Sequence, residues 1–358
     1  MKTRQRRSSN RNSSRPDPAP HGRAHHDSVK NDAPRRRGAA RLRALSAVAA
    51  AITVVAAAAA CSSGSGSTSV GGTSSLVVGI PPVISGADIY VAQDEGFFAK
   101  NHLSVSVKTL NGGSAIVPAM EGGSVQIGES NVLSVIQGAA RGIDEPCFAG
   151  ANTDPSSGHY LSLVGKSGVT GAQDLAGQTI AVNATNGVNQ LLTDAYLASQ
   201  GVDPSKVSFI SLQFPDMPAA LSSGRVAAAM TSEPFTTISL GQGGKLLSAT
   251  PLRYVAGTPT YSCWNAEGSW LSSSKKEATE FVTAMAETDS YIDSHPAEFR
   301  TIAGKHLTIN ATALKTMTLP VFTGELTASG IASWEKAARQ FHLLEGTPTA
   351  GNVLETVP

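Results

Sequence analysis

Past residue 61 the chain carries two cysteines, Cys147 and Cys263, and five histidines, His102, His159, His295, His306 and His342. None falls in a Cys-x-x-Cys or His-Glu-x-x-His spacing, so no metal site is read from the sequence. No Gly-x-Ser-x-Gly elbow or phosphate-cradling glycine loop is present either, and no cofactor is expected. Two chemistries remain for the cysteines. Joined, they would close a long loop, as even pairs do in oxidising compartments. Free, either could act as a catalytic thiol. The chain is read as a non-enzyme with Cys147 bridged to Cys263; a thiol-dependent enzyme is the alternative.

The elements that would position these groups alternate strand and helix, which predicts an α/β fold with mainly parallel sheets. Apolar or alternating runs at 76–80, 103–110, 125–128, 147–150 and 161–166 read as strands, with helices expected at 88–100, 114–121 and 131–140. A second set follows, with strands at 179–182, 207–212 and 226–230 and helices at 188–199 and 217–223. Residues 259–271 read as strand, and helices are expected at 275–293, 297–303, 311–317 and 328–341. The stretches Gly123-Ser124-Val125 and Gly224-Arg225-Val226 echo each other after a helix, each glycine suited to a left-handed helix end.

Charge is divided unevenly. Residues 1–43 hold thirteen Lys/Arg against three Asp, a net of about +10, and the rest of the chain nets about −9. A basic leader on an acidic body argues against a nucleic-acid binder. Arg35-Arg36-Arg37, Arg41 and Arg43 precede an apolar run at 42–60, and Ala58-Ala59-Ala60-Cys61 follows it. This order describes a secretory signal. It resembles the lipobox of bacterial lipoproteins, with Cys61 as the lipidated residue and Ala58 where leucine is usual. A retained membrane helix is the alternative reading, and both place the body on the extracytoplasmic face of the cell membrane. Sec and twin-arginine export both stay open. Residues 61–75, almost all Ser, Gly and Thr, read as a flexible tether.

Four stretches taken in order resemble one family. Ala92, Gly96-Phe97-Phe98, Leu103 and Val105 match an A-x-x-x-G-F-F-x-x-x-x-L-x-V pattern. Ala119-Met120-Glu121-Gly122-Gly123-Ser124-Val125-Gln126-Ile127-Gly128 is similar to A-L-x-x-G-x-V-D-I-G, with Gln126 in place of Asp. Asp174-Leu175-Ala176-Gly177-Gln178-Thr179-Ile180-Ala181-Val182 looks like D-L-K-G-K-x-I-A-V. Ala220-Leu221, Gly224, Val226 and Glu233-Pro234 match the fourth pattern, with Ala227 in place of Asp. These are the substrate-binding proteins related to aliphatic-sulfonate, taurine and pyrimidine-precursor transport. The resemblance implies a type II periplasmic-binding-protein fold: a large lobe at 76–167 and 251–358, a small lobe at 168–250, and crossovers near 164–168 and 251–261. It also implies a monomer that hands a small solute to an ABC permease and its ATPase. A sensor without a transporter would look the same.

In such a fold the strand C-termini and helix N-termini face the cleft, where backbone N–H groups meet a ligand. The candidate ligand-binding residues are therefore Ser85, Gly86 and Asp88; Asn111, Gly113 and Ser114; Glu129, Ser130 and Asn131; Thr185, Asn186 and Gly187; Phe214 and Asp216; and Glu233. Asp88, Ser114 and Asn131 would equally serve as helix N-caps. Acidic residues fall in these loops and no Lys or Arg does, which disfavours a dianion gripped by arginine.

Overall fold

The computed structural model describes residues 72–357 apart from 258 and 349. The basic leader, the apolar run, Cys61 and most of the tether lie outside the described residues. Among those described, no helix is long and apolar enough to cross a membrane.

The first four strands, β1 (Ser74–Ile80), β2 (Leu103–Thr109), β3 (Ile127–Asn131) and β4 (Cys147–Thr153), lie in one sheet. The chain then leaves it to build a second sheet from β5 (Leu161–Gly165), β6 (Thr179–Val182), β7 (Ser208–Ser211), β8 (Ala228–Ser232) and β9 (Lys245–Ser248). It returns to the first sheet with β10 (Ser262–Ala266) and β11 (Val321–Phe322). The two orders are β11-β4-β10-β3-β1-β2 and β7-β6-β8-β5-β9. Two sheets joined by two crossing segments make two lobes.

Both sheets are mixed rather than mainly parallel. β1 pairs in parallel with β2 and β3, as β6 does with β7 and β8. The strands bordering the crossings run the other way: β10 is antiparallel to β3 and β4, and β5 to β8 and β9. A chain that enters a lobe from the other one inserts its strand in the opposite sense. For the same reason β5 belongs to the second sheet. The first crossing therefore occupies residues 154–160, ahead of the expected 164–168, and the second runs through 249–261.

The helices expected at 188–199 and 275–293 are present as Val188–Ser199 and Lys275–Ser294. The one expected over 88–100 is two helices, Asp88–Asp94 and Phe97–Lys100, divided by Gly96 at φ +77°. A left-handed residue cannot continue a right-handed helix. Residues 259–271 are not all strand: β10 ends at Ala266, and Gly268–Ser273 is helical. Gly123 and Gly224 both take positive φ, +65° and +73°, as their shared role after a helix requires.

The core of the first lobe centres on Phe281, whose ring meets Phe98, Phe148 and Trp264 at centroid separations of 5.8, 6.2 and 5.0 Å. Truncating such a ring costs about 3–5 kcal/mol. A disulfide joins Cys147 on β4 to Cys263 on β10, with Cα atoms 5.7 Å apart, and both cysteines are fully buried. It pins two neighbouring antiparallel strands in the middle of that sheet.

Candidate ligand-binding cleft

A cavity of about 30 Å³ lies between the lobes, space for roughly two waters. From the first lobe its walls are Pro81, Val83 and Ser85 after β1, with Gly112 and Gly113 after β2. From the second lobe Asn183, Phe214 and Ser232 close it. Tyr160 and Tyr261, one on each crossing, complete the ring. A larger groove of about 560 Å³ lies by Ser75, Gln126 and Trp270, at the opposite end of β1. It gathers none of the expected binding residues and touches one lobe alone.

The cavity floor is built by β3 and β10. Residues two apart on a strand share a face, so Glu129 and Asn131 both reach the cavity and Ser130 between them does not. Ser262, paired in register with Asn131, joins them from β10. Asn131 is also the N-cap of Val132–Ala140, its Oδ1 accepting from Ser134 N at 2.9 Å. Capping and lining coincide in one side chain.

Glu129 is 2% exposed. Its Oε1 accepts from Asn152 Nδ2 at 2.7 Å and from Ser262 Oγ at 3.0 Å. The Tyr160 hydroxyl in turn donates to Asn152 Oδ1 at 3.3 Å. The other carboxylate oxygen, Oε2, is buried with no hydrogen-bond partner. Burial pushes this carboxyl up to about 7, against the pull of the Ser85, Ser262 and Asn152 donors. Asp88, buried nearby, is held well above its ordinary value by burial and then by the charges of Glu129 and Asp289.

Glycine at two cavity positions is sterically required. A Cβ at Gly113 would sit 2.8 Å from Ser134 Cβ and 2.9 Å from Asn131 Nδ2. Gly112 has φ +79°, and a Cβ there would lie 3.1 Å from Asn183 Nδ2 across the cleft.

The cavity thus brings together Ser85, Gly113, Glu129, Asn131 and Phe214 from the expected set. Gly86 lies just behind the wall, where a Cβ would meet Pro81 O at 2.8 Å and Glu129 Oε2 at 3.3 Å. Asp88 opens its helix beneath the wall and caps nothing with its side chain except the next N–H, that of Ile89 at 2.8 Å. Asn111 reaches across instead of inward, donating from Nδ2 to Asn183 O at 3.3 Å. Ser114, Thr185, Asn186 and Asp216 are exposed and outside the cavity, and Gly187 is the N-cap position of Val188–Ser199. Ser114 does not cap either, since Gly112 holds that position.

Glu233, fully buried, serves the hinge. Its Oε1 takes His159 Nδ1 at 2.8 Å, Thr237 Oγ1 at 2.8 Å and Thr318 N at 3.3 Å, and its Oε2 takes Thr237 N at 3.0 Å. His159 belongs to the first crossing and Thr318 to the returning chain, so this carboxylate ties the second lobe to both. Sequence reasoning missed Tyr160, Tyr261, Ser262, Pro81 and Val83. Tyr160 sits on a crossing that no strand or helix pattern marks, and Tyr261 fell inside the run 259–271 read as strand. Only alternation along β10 would have pointed to Ser262.

The family model described as NMT1/THI5 like matches residues 84–299. The taurine-binding periplasmic protein of Escherichia coli (strain K12) is 29% identical over 175 residues, 49% of this chain and 53% of that protein. YtlA of Bacillus subtilis (strain 168) is 24% identical over 215 residues, 59% of this chain and 64% of that one. The matched chain spans about half to two thirds of the length of these curated relatives. Among solved structures, the alkanesulfonate-binding protein SsuA from Xanthomonas axonopodis pv. citri bound to MOPS superposes with a TM-score of 0.68 at 15% identity, covering 79% of this chain and 98% of that one. The periplasmic nitrate-binding protein NrtA from Synechocystis PCC 6803 gives 0.65 at 13% identity, covering 79% and 86%. Two mixed-sheet lobes around a cleft, in common with these structures, make this the type II periplasmic-binding-protein fold. With the family match covering more than half of its length, the chain belongs to the NMT1/THI5-like family.

Proposed function

We propose that the protein captures a small organic solute in the cleft and delivers it to an ABC permease and its ATPase by closure of the two lobes. The observation that carries this reading is the cavity itself: both lobes and both crossings supply its walls, so a molecule held there binds the lobes together. In this arrangement the space holds little, so the lobes must part for a solute to enter. The relatives are binding proteins for taurine, alkanesulfonate and nitrate, in line with a solute-binding role here. The disulfide suits an oxidising, extracytoplasmic setting. Within the same proposal, Cys61 carries a lipid that anchors the body to the membrane, and residues 61–75 give it reach. The thiol-dependent alternative lacks its reagent, because both cysteines are consumed in one buried bond and neither lines the cavity.

A thermal-shift screen of amines, pyrimidines, sulfonates and nitrate tests the solute reading, paired with small-angle scattering. A true ligand raises Tm and reduces the radius of gyration. If no compound in the screen does either, the reading fails. The anchor is tested separately: Cys61→Ser should release the protein from the membrane fraction, and retention there would overturn lipidation.

A further inference from the structure

We propose that Glu129 Oε2 receives a hydrogen bond from a positively charged nitrogen of the ligand, which makes this chain a binder of compact organic cations such as amines, amidines or guanidines. The inference rests on the solute-binding reading above and names the chemistry of its ligand.

The donors already at the site leave a specific vacancy in its hydrogen bonding. Asn152 and Ser262 both donate to Oε1, Oε2 is buried with no hydrogen-bond partner, and the Ser85 hydroxyl lies near enough to the carboxylate to pull its pKa down. A buried acceptor without a donor is destabilising, and a ligand N–H would satisfy it. Gly86 packs closely behind Oε2: a Cβ there would lie 3.3 Å from it and only 2.8 Å from Pro81 O, so any larger residue would press on the carboxylate. From the opposite lobe Asn183 Oδ1 also lines the cleft as a buried acceptor with no partner. Among the described residues, no Lys, Arg or His lines the cavity. Three aromatic side chains, Tyr160, Phe214 and Tyr261, do line it, and ring faces attract cations. A sulfonate would bring three acceptor oxygens against these acceptors with no cation to offset their charge. An ammonium or guanidinium brings donors and the missing positive charge together.

The titratable groups facing Glu129 are Asp88, Tyr160 and Tyr261, all acids. None supplies a counter-charge. With its carboxyl pushed up to about 7 by burial, Glu129 is partly protonated at neutral pH in the empty site. A cation selects the ionised form, so its affinity must fall with acidification.

The test uses the mature body with four compact probes: methylguanidine and ethanolamine as cations, methylurea as the neutral counterpart, and methanesulfonate as the anion. Calorimetry should show both cations binding at pH 8 with affinity at least tenfold above methylurea and methanesulfonate. Cation affinity should drop about tenfold between pH 8 and pH 6, following ionisation of the carboxylate. Glu129→Gln should lose at least tenfold in cation affinity while keeping its fold, shown by an unliganded Tm at pH 8 no lower than that of the unchanged protein. Preferential binding of methanesulfonate, strengthening toward pH 6, would overturn the inference, since a protonated Glu129 would then be donating to an anion. Cation binding unaffected by Glu129→Gln would overturn it equally. If methanesulfonate or the wider screen of pyrimidines and sulfonates closes the lobes and cations do not, the solute-binding reading stands and this inference alone falls. If nothing binds, both fall.

Discussion

Glu129 and Glu233 invite comparison because the sequence presents them alike: each is an acid at the end of a central strand, and each is buried in the structure. Burial raises both carboxyls above their ordinary value. Their partners separate them. Glu233 has both oxygens engaged, by two hydroxyl or imidazole groups and two backbone N–H donors reaching from three parts of the chain. Glu129 has one oxygen engaged and one bare, and that bare oxygen belongs to the cavity residue. Between these two acids, burial and charge are shared, and what differs is the number of satisfied oxygens together with a place in the cavity wall.

The comparison also extends to what holds each residue in place. Glu129 lies on β3, paired in register with Trp264, one residue from the disulfide on Cys263. Opening that bridge, which spans 116 residues of sequence, should cost about 5 kcal/mol by loop entropy. Denaturation with and without reductant measures this, and a midpoint unmoved by reduction would show that the floor of the cleft needs no staple. Next in size is Glu233→Ala, which strands His159, Thr237 and Thr318 and should cost about 3 kcal/mol. A Tm drop of roughly 6–12 °C is expected. A harmless substitution would erase the distinction drawn between the two acids.

A smaller effect per group comes from acidity. Glu129, Asp154 and Asp194 are each pushed up to about 7 by burial. A folded state that holds acid protons more tightly than the unfolded chain gains stability as pH falls through the folded value toward the unfolded one. Stability should therefore rise between pH 8 and about pH 5, on the order of 1–3 kcal/mol for each such carboxyl. Calorimetric scans across that range check the sign; a Tm falling over the interval would contradict it. Smallest of all, Glu129→Gln should leave stability at pH 8 unchanged or raise it by up to about 1 kcal/mol, while flattening the pH dependence. The neutral amide avoids burying a charge that has no counter-ion.

Much of this architecture was legible beforehand. The strand Thr179–Val182 and the helix Val188–Ser199 begin and end where apolar periodicity and the polar turn before them indicate. β9 escaped notice because Lys245–Ser248 is a four-residue edge strand, mostly exposed, that shows no alternation strong enough to read. Phe235–Gly241 escaped because Thr236, Thr237 and Ile238 are β-branched and poor helix formers, held helical by packing against β5 and β8. At the site, Glu129 and Asn131 were readable from their place at a strand end. Thr185 and Asn186 looked equally suitable, but their turn points to solvent, and Asn186 uses its carbonyl to accept from Gln137 Nε2 instead. Tyr160 and Tyr261 could not be found locally, since their position depends on where the chain crosses between sheets.

Three hydrogen bonds across the cleft have a kinetic consequence. Ile84 N donates to Glu233 O, Asn111 Nδ2 to Asn183 O, and Gln137 Nε2 to Asn186 O. Each contributes roughly 1 kcal/mol net, because water takes its place when the surfaces part. If the lobes part as proposed, these three bonds together oppose the opening by only a few kcal/mol. Under the proposed function, release of a bound solute would need no fuel supplied by the protein itself.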